Sequence, residues 1–503
     1  MFEGERYEDE MYAVTTVKAD VGTITVTLKA EKENNYYFTG ETLFENVTAY
    51  FYDPNAFTYG KGSLTLKAYT GTDAEVNVPY GTQKVEGNAF SGTGVVRIVL
   101  PDTVTSLEKK AFDGAGSLRE LVVTGLGCMP NTFKTLFGNE PANLHLTVTG
   151  VCEEIPMDFF TGCAFLESVE WRKPIRSIGK SAFYGCTSLT TFTYDDSLLE
   201  SVGENAFSKC TSLTALTLPS LLGEEGSDDK TLVYYFGSEL GRCSLETLVL
   251  NGTASYVLPS YAFRGMTTLK QIEFSSALTG IGAGAFSGID ADIDLSGTGV
   301  TTIKGNTFVG YVGESVILPE NLAFLESYAL KGFTENDELV IPASVTVLGT
   351  YAFSGCYADI RFADGSALTT IGERVFEGYL GANVVLPSSV TSFGERAFKD
   401  AANLVSIDLR GVGTIGENCF ENCMGLTEIT VYSSTTDIKR NAFKGCSNLT
   451  TAIFEGATPP TAYVNAFDTG ALLHAYVPKA AVPEYKTYFD ACGKGDGADV
   501  VGR

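Results

Sequence analysis

One recurring phrase limits this chain to a single kind of architecture. It reads Ala182-Phe183-Tyr184-Gly185-Cys186-Thr187-Ser188-Leu189, returns as Ala206-Phe207-Ser208-Lys209-Cys210-Thr211-Ser212-Leu213, and returns again as Ala442-Phe443-Lys444-Gly445-Cys446-Ser447-Asn448-Leu449. With the Phe as a marker, weaker copies place it at Phe90, Phe112, Phe263, Phe286, Phe308, Phe353, Phe376, Phe398, Phe420 and Phe467. Neighbouring marks lie mostly 22 to 24 residues apart. Such regularity belongs to stacked repeats, in which each unit buries its apolar face only against its neighbours.

One unit, from Leu189 to Ser212, divides into three parts. Leu189-Thr190-Thr191-Phe192-Thr193-Tyr194 alternates like a short strand with Leu189, Phe192 and Tyr194 inward. Leu198-Leu199-Glu200-Ser201-Val202-Gly203 is a return segment with its own apolar residues. Asn205-Ala206-Phe207-Ser208-Lys209-Cys210 reads as a tight helical turn that drives Phe207 into the core. None of these pieces could bury its apolar side alone, so stacking is the stabilising event, with strands side by side at about 4.8 Å. Cys163, Cys186, Cys210, Cys243, Cys356, Cys423 and Cys446 occupy a position three residues past the marker, where other repeats hold Thr93, Ala115 or Ile289. The position reads as a small buried group, which a free thiol satisfies.

The chain divides into residues 1–72, a β-rich N-terminal cap or attachment domain; 73–478, the repeat array; and 479–503, a C-terminal cap and loose tail. Before the array, Thr23-Ile24-Thr25-Val26-Thr27-Leu28 alternates like a strand, and Tyr36, Tyr37, Tyr50 and Tyr52 offer an aromatic loop surface. Longer units marked by Phe133 and Phe160 follow Phe112, an insertion carries Gly223–Lys230, and Leu330 stands where a marker Phe is due.

Chemistry is hard to find. A net charge of −26 opposes a nucleic-acid groove, because phosphate neutralisation needs clustered Lys and Arg. No apolar run is long enough to span a bilayer, so membrane insertion is not expected. The acidic start, Met1 to Glu10, is unlike a secretion signal. The two histidines, His145 and His474, fall near opposite ends of the array and cannot share a site. Asp290-Ala291-Asp292-Ile293-Asp294 starts like a calcium loop, but Leu295 and Thr301 replace the glycine and glutamate that such a loop needs. No catalytic residue, cofactor or metal is expected.

The informative surface is the open side of the strands, where outward residues flank the central apolar one. Glu170, Gln271, Glu273, Asp292, Asp294, Glu338, Asp359, Arg361, Asp408 and Glu428 are the candidate partner-binding residues. Acidic groups dominate its second half, which suits a partner with a basic surface.

The repeats resemble the BspA-like, or Treponema-type, leucine-rich repeats. The matching text is Leu-x-x-Ile-x-Leu-Pro, then Val-Thr-x-Ile-Gly, then Ala-Phe-x-Gly-Cys, here appearing as Val384-Val385-Leu386-Pro387-Ser388-Ser389-Val390-Thr391-Ser392-Phe393-Gly394-Glu395-Arg396-Ala397-Phe398. It runs over roughly residues 74 to 478. The resemblance implies a right-handed, β-rich leucine-rich repeat solenoid, one short strand plus one short helical turn per repeat of about 23 residues, without catalysis. It also implies an extracellular or cell-surface adhesion protein that binds a protein or glycan. The alternative is a structural part of a surface filament or phage virion, self-associating or anchored through residues 1–72.

Overall fold

In a computed structural model the structure describes residues 13–20, 23–29, 54–219, 232–237, 243–334 and 338–503. The Gly223–Lys230 insertion and the Tyr36–Tyr52 aromatics lie outside them. The chain is a parallel β-solenoid that separates into two compact units, Met1–Leu216 with Tyr235–Cys243, and Thr217–Tyr234 with Ser244–Arg503.

In the first unit Ala13–Asp20 and Thr23–Lys29 form an antiparallel hairpin. Phe57–Tyr59 pairs antiparallel with Thr65–Tyr69. Thr65–Tyr69 then runs parallel to Lys84–Val85, so parallel stacking begins at Thr65. Phe57 covers Tyr69, and Tyr69 covers Phe90, with ring centroids 5.0 and 6.0 Å apart. The main strands Glu75–Asn77, Arg97–Val99, Glu120–Val123, Leu144–Val148, Leu166–Pro174 and Thr191–Asp195 pair in sequence order, all parallel. A second ladder of return strands joins Glu154–Ile155, Ser177–Ile178 and Ser201–Val202.

The second unit repeats this plan. Thr247–Leu250, Gln271–Phe274, Asp292–Asp294 and Val316–Ile317 are consecutive parallel strands. So are Glu338–Ile341, Asp359–Phe362, Asn383–Val385 and Ser406–Ile407. Glu428–Val431, Thr451–Phe454, Leu473–Val477 and Ala498–Gly502 complete the series.

The helical turn is itself a third ladder. Phe376 N–H donates to Ala397 O, Phe398 N–H to Cys419 O and Phe420 N–H to Ala442 O, at 2.8, 2.8 and 2.7 Å. Each repeat thereby satisfies on its neighbour the backbone groups that a single turn leaves unpaired. The marker rings stack in consequence: Phe353, Phe376 and Phe398 lie 4.5 and 4.8 Å apart with planes within 6°. Asn205, Asn418 and Asn441, each two residues before a marker, have φ of 56, 55 and 56°. Asn tolerates this left-handed conformation better than most residues, which explains its recurrence there.

The position three past the marker is not reserved for small groups. Among its thiols, Cys186 donates to Phe160 O (3.1 Å), Cys423 to Phe398 O (3.0 Å) and Cys446 to Phe420 O (2.9 Å), the marker carbonyl of the preceding repeat in each case. Elsewhere it holds Tyr311, Phe333 and Tyr379, all fully buried. Tyr379 Oη donates to the carbonyls of Ala358 and Asn383, at 2.7 and 2.8 Å. Tyr311 does the same to Ala291 and Ser315. Both tyrosines need the glycine two residues on, since a Cβ at Gly313 or Gly381 would sit 2.3 or 2.1 Å from the hydroxyl. Phe333 fills the space left where Leu330 replaces a marker Phe, with its ring 6.0 Å from Phe308 and 5.4 Å from Tyr311.

The end of the chain also departs from expectation. Val482–Ala491 is a helix that buries Tyr485, Tyr488 and Phe489, placing Tyr485 4.9 Å from Phe454 and Phe489 5.6 Å from Phe467. The helix carries the chain back along the repeat. Residues 498–502, expected as loose tail, thus run parallel to Leu473–Val477 and pair with it throughout. That pairing occupies backbone groups that would otherwise form an open edge.

Candidate binding face

The outward residues of the main strands form two rows, because alternate side chains point to opposite sides and the parallel register repeats. In the second unit one row carries Gln271, Asp292, Glu338, Asp359 and Glu428. The other carries Glu273, Asp294, Arg361 and Asp408, the last just beyond its strand. Register brings several together: Gln271 opposes Asp292, Glu338 opposes Asp359, and Asp294 opposes Ile317. Ile293 and Leu295 point inward and are buried, as the alternation requires. Glu170 belongs to the first unit, on Leu166–Pro174, and faces Thr193 across the ladder.

Most of these carboxylates also have a local task. Asp292 accepts the Ser315 N–H (3.0 Å), Asp294 the Ser296 N–H (2.9 Å), and Asp359 the Ala382 and Asn383 N–H groups (2.9 and 2.8 Å). An aspartate at a strand end thus holds the turn that follows or the next repeat's strand entry. Arg361 pairs with Glu338 at 2.9 Å, Arg172 with Glu170 at 2.9 Å and Arg410 with Asp408 at 2.5 Å. The Arg410 hydrogen bond holds the Asp408 carboxyl below its ordinary range. Gln271 donates to Glu273 at 2.9 Å. Lys270, beside the first row, contacts Asp290. Between Gln271 and Glu428 the two rows hold seven carboxylates and one guanidinium (Glu273, Asp292, Asp294, Glu338, Asp359, Asp408 and Glu428 against Arg361), with Lys270 and Arg410 at their margins. The face is strongly negative even after pairing.

Ile317, Val340 and Val385 are not among the candidate residues chosen from the sequence. They stand in the second row, yet are 51%, 37% and 52% exposed. Arg361 lies between Val340 and Val385 in register. The signal was present in the sequence, since each is an apolar residue at an outward position of an alternating strand.

His145 does acquire local partners. Its Nδ1 lies 2.6 Å from Ser168 Oγ, directly across the ladder, and its Nε2 lies 3.7 Å from Glu167. The second distance exceeds a hydrogen bond, so Glu167 does not orient the ring. His474 Nδ1 lies 3.1 Å from Asp499 on the neighbouring strand. Both imidazoles are half-exposed on the open side. Among the described residues no three His, Cys, Asp or Glu side chains are grouped to hold a metal. No helix there is long and apolar enough to cross a membrane.

The repeat text and this geometry meet in one finding. The model of the BspA type leucine rich repeat region matches residues 67–137, 153–227, 238–359 and 369–492, in six copies. The chain belongs to the BspA-type leucine-rich repeat family. Solved structures similar to it include a leucine-rich repeat protein from Bacteroides ovatus, at 21% identity and a TM-score of 0.32, covering 89% of this chain and 95% of that one. A leucine rich cell surface protein from Faecalibacterium prausnitzii is 18% identical with a TM-score of 0.27, covering 81% and 95%. The pneumococcal vaccine antigen PcpA is 16% identical with a TM-score of 0.29, covering 87% and 94%. No curated protein matches. The BspA-type repeat accounts for the marker, the turn and the return strand. Outward residues are left open by it.

Proposed function

We propose that this BspA-type chain is a non-catalytic recognition protein, acting outside the cell and binding a protein or glycan partner through the outward rows of its strands. The excess of seven carboxylates over one guanidinium in the outward rows of the second unit carries the reading. Folding does not require that excess, because outward positions of the same repeat accept Thr191 or Ala215 elsewhere. Charge of one sign on a broad regular surface favours encounter with an opposite surface and rejects like-charged ones.

The test is a screen of the purified chain against extracellular matrix proteins and a glycan array, with light scattering to report mass. The reading expects saturable binding that weakens with salt and is lost on Asp292→Lys with Asp294→Lys. Binding indifferent to both salt and charge reversal would move the function off this face.

A further inference from the structure

The composition of the two rows narrows the partner further, resting on the reading just given. Ile317, Val340 and Val385 are β-branched, exposed, and aligned in one row. Val316–Ile317 contacts Glu338–Ile341, and equivalent repeat positions place Ile317 beside Val340 in that row. Beside it runs the row with Glu338 and Asp359, and the ion pair from Arg361 is spent within the face on Glu338. Each leaves a third to a half of its apolar surface in water, on a face whose other large side chains are mostly charged. Three in one row, interrupted by Arg361 between Val340 and Val385, form an apolar line with a carboxylate border.

This pattern selects among ligands. Sugars are gripped chiefly by stacking on aromatic rings, assisted by amides and hydroxyls. Among the described residues the two rows from Gln271 to Glu428 hold no aromatic side chain, and a single exposed ring, Tyr357, stands at their border two residues before Asp359. Aliphatic knobs bordered by carboxylates instead match a protein surface in which apolar side chains lie beside Lys and Arg. The dimensions match one element laid across the strands. From Asp292–Asp294 to Ser406–Ile407 are six strands, an extent of about 24 Å at the parallel spacing. A helix covers that length with roughly 16 residues. The steps from Ile317 to Val340 and from Val340 to Val385 are one and two strand spacings, about 4.8 and 9.6 Å. Apolar residues three or four, and then seven, positions apart on a helix advance by about 5 and 10 Å. We infer that the face from Asp292 to Asp408 docks a basic amphipathic helix of a protein partner, its apolar stripe on Ile317, Val340 and Val385 and its cations against Asp292, Asp294, Glu338 and Asp359.

The experiment uses the full chain and three synthetic 18-residue peptides in fluorescence anisotropy. One is a helix with a leucine stripe flanked by lysines, one has glutamate for lysine, and one has glutamine for leucine. The lysine-leucine helix is expected to bind saturably, and the other two at least tenfold more weakly. Ile317→Ser, Val340→Ser and Val385→Ser together should weaken the lysine-leucine helix about tenfold or more. Asp292→Lys, Asp294→Lys and Glu338→Lys together should do the same. All the sites in the serine variant are exposed, so an unchanged melting temperature confirms that it is folded. Binding that survives the serine variant, or that persists with the leucine-free peptide, overturns the inference by showing charge alone at work. A glycan bound in its place, and lost on the lysine variant, overturns the helix while the recognition reading stands. If neither peptide, glycan nor matrix protein responds to these variants, both fall.

Discussion

The strand faces of the two units differ far more than their interiors. Phe160, Phe183 and Phe207 stack in the first at 4.9 and 5.4 Å. Phe398, Phe420 and Phe443 stack in the second at 5.2 Å each. The thiol bond to the preceding marker carbonyl also occurs in both, from Cys186 and from Cys446. Outside, the first unit pairs Arg97 with Glu120 at 2.9 Å and Glu170 with Arg172, and then turns neutral at Thr191 and Thr193. The second carries surplus carboxylate and an aliphatic line. The interior therefore fixes the architecture and leaves the face free to differ. That separation is where specificity can reside in a repeat protein.

The largest effects should fall on the shared interior. Phe183→Ala and Phe398→Ala are each expected to cost about 3–5 kcal/mol, since both delete a fully buried ring from a stack. Guanidinium unfolding followed by intrinsic fluorescence and circular dichroism would check this. A loss under about 1 kcal/mol in one unit alone would break the equivalence of the two interiors. Next comes Tyr379→Phe, which keeps the ring but removes the buried hydroxyl shared between the carbonyls of Ala358 and Asn383. The expected loss is about 1–3 kcal/mol. If that variant were neutral, the tyrosine would be only filling space. At the turn, Asn441→Ala should cost about 1 kcal/mol, because alanine resists the left-handed backbone there. Tyr351→Asn, at the equivalent position with φ 59°, should lose less, as strain relief offsets the lost stacking on Tyr328. On the face, Val385→Ser should stay within about 0.5 kcal/mol. A larger loss would mean that the aliphatic line belongs to the core after all.

Reactivity sharpens the same contrast. Burial pushes the Cys446 thiol up to about 12. At pH 8 it is therefore protonated and shielded in the native chain, and iodoacetamide should reach it only when the repeat opens. Cys128 and Cys152, the half-exposed cysteines, should be alkylated first. Mass spectrometry after brief labelling checks the order. Early labelling of Cys446 would show that the turn ladder opens locally.

The marker Phe, the free thiols and the inward alternation were legible because each recurs, and repetition marks a residue that packing demands in every unit. What was missed occurs once or twice. Tyr311 and Tyr379 replace a thiol by hydrogen-bonding further, which only the glycine two residues later discloses. The strand at 498–502 was hidden because Gly493, Gly495 and Gly497 read as a tail, while its pairing depends on where a distant helix returns the chain. The acidic character of the face was legible in the outward positions. The second use of Asp292, Asp294 and Asp359 as turn acceptors was not, since that depends on backbone from the turn or from the next repeat.

The turn ladder has a consequence for descent. Each turn hydrogen-bonds to the next through main-chain groups, as Phe398 does to Cys419 and Phe420 to Ala442. It therefore recognises a neighbour by backbone shape and a marker ring, with little regard for which repeat the neighbour is. Unequal recombination that duplicates or deletes one whole repeat would leave every joint intact, yet would shift the outward residues beyond it by one place. A lineage carrying this fold can then recompose its binding surface in single genetic steps, and selection can act on the new surface while the joints still hold.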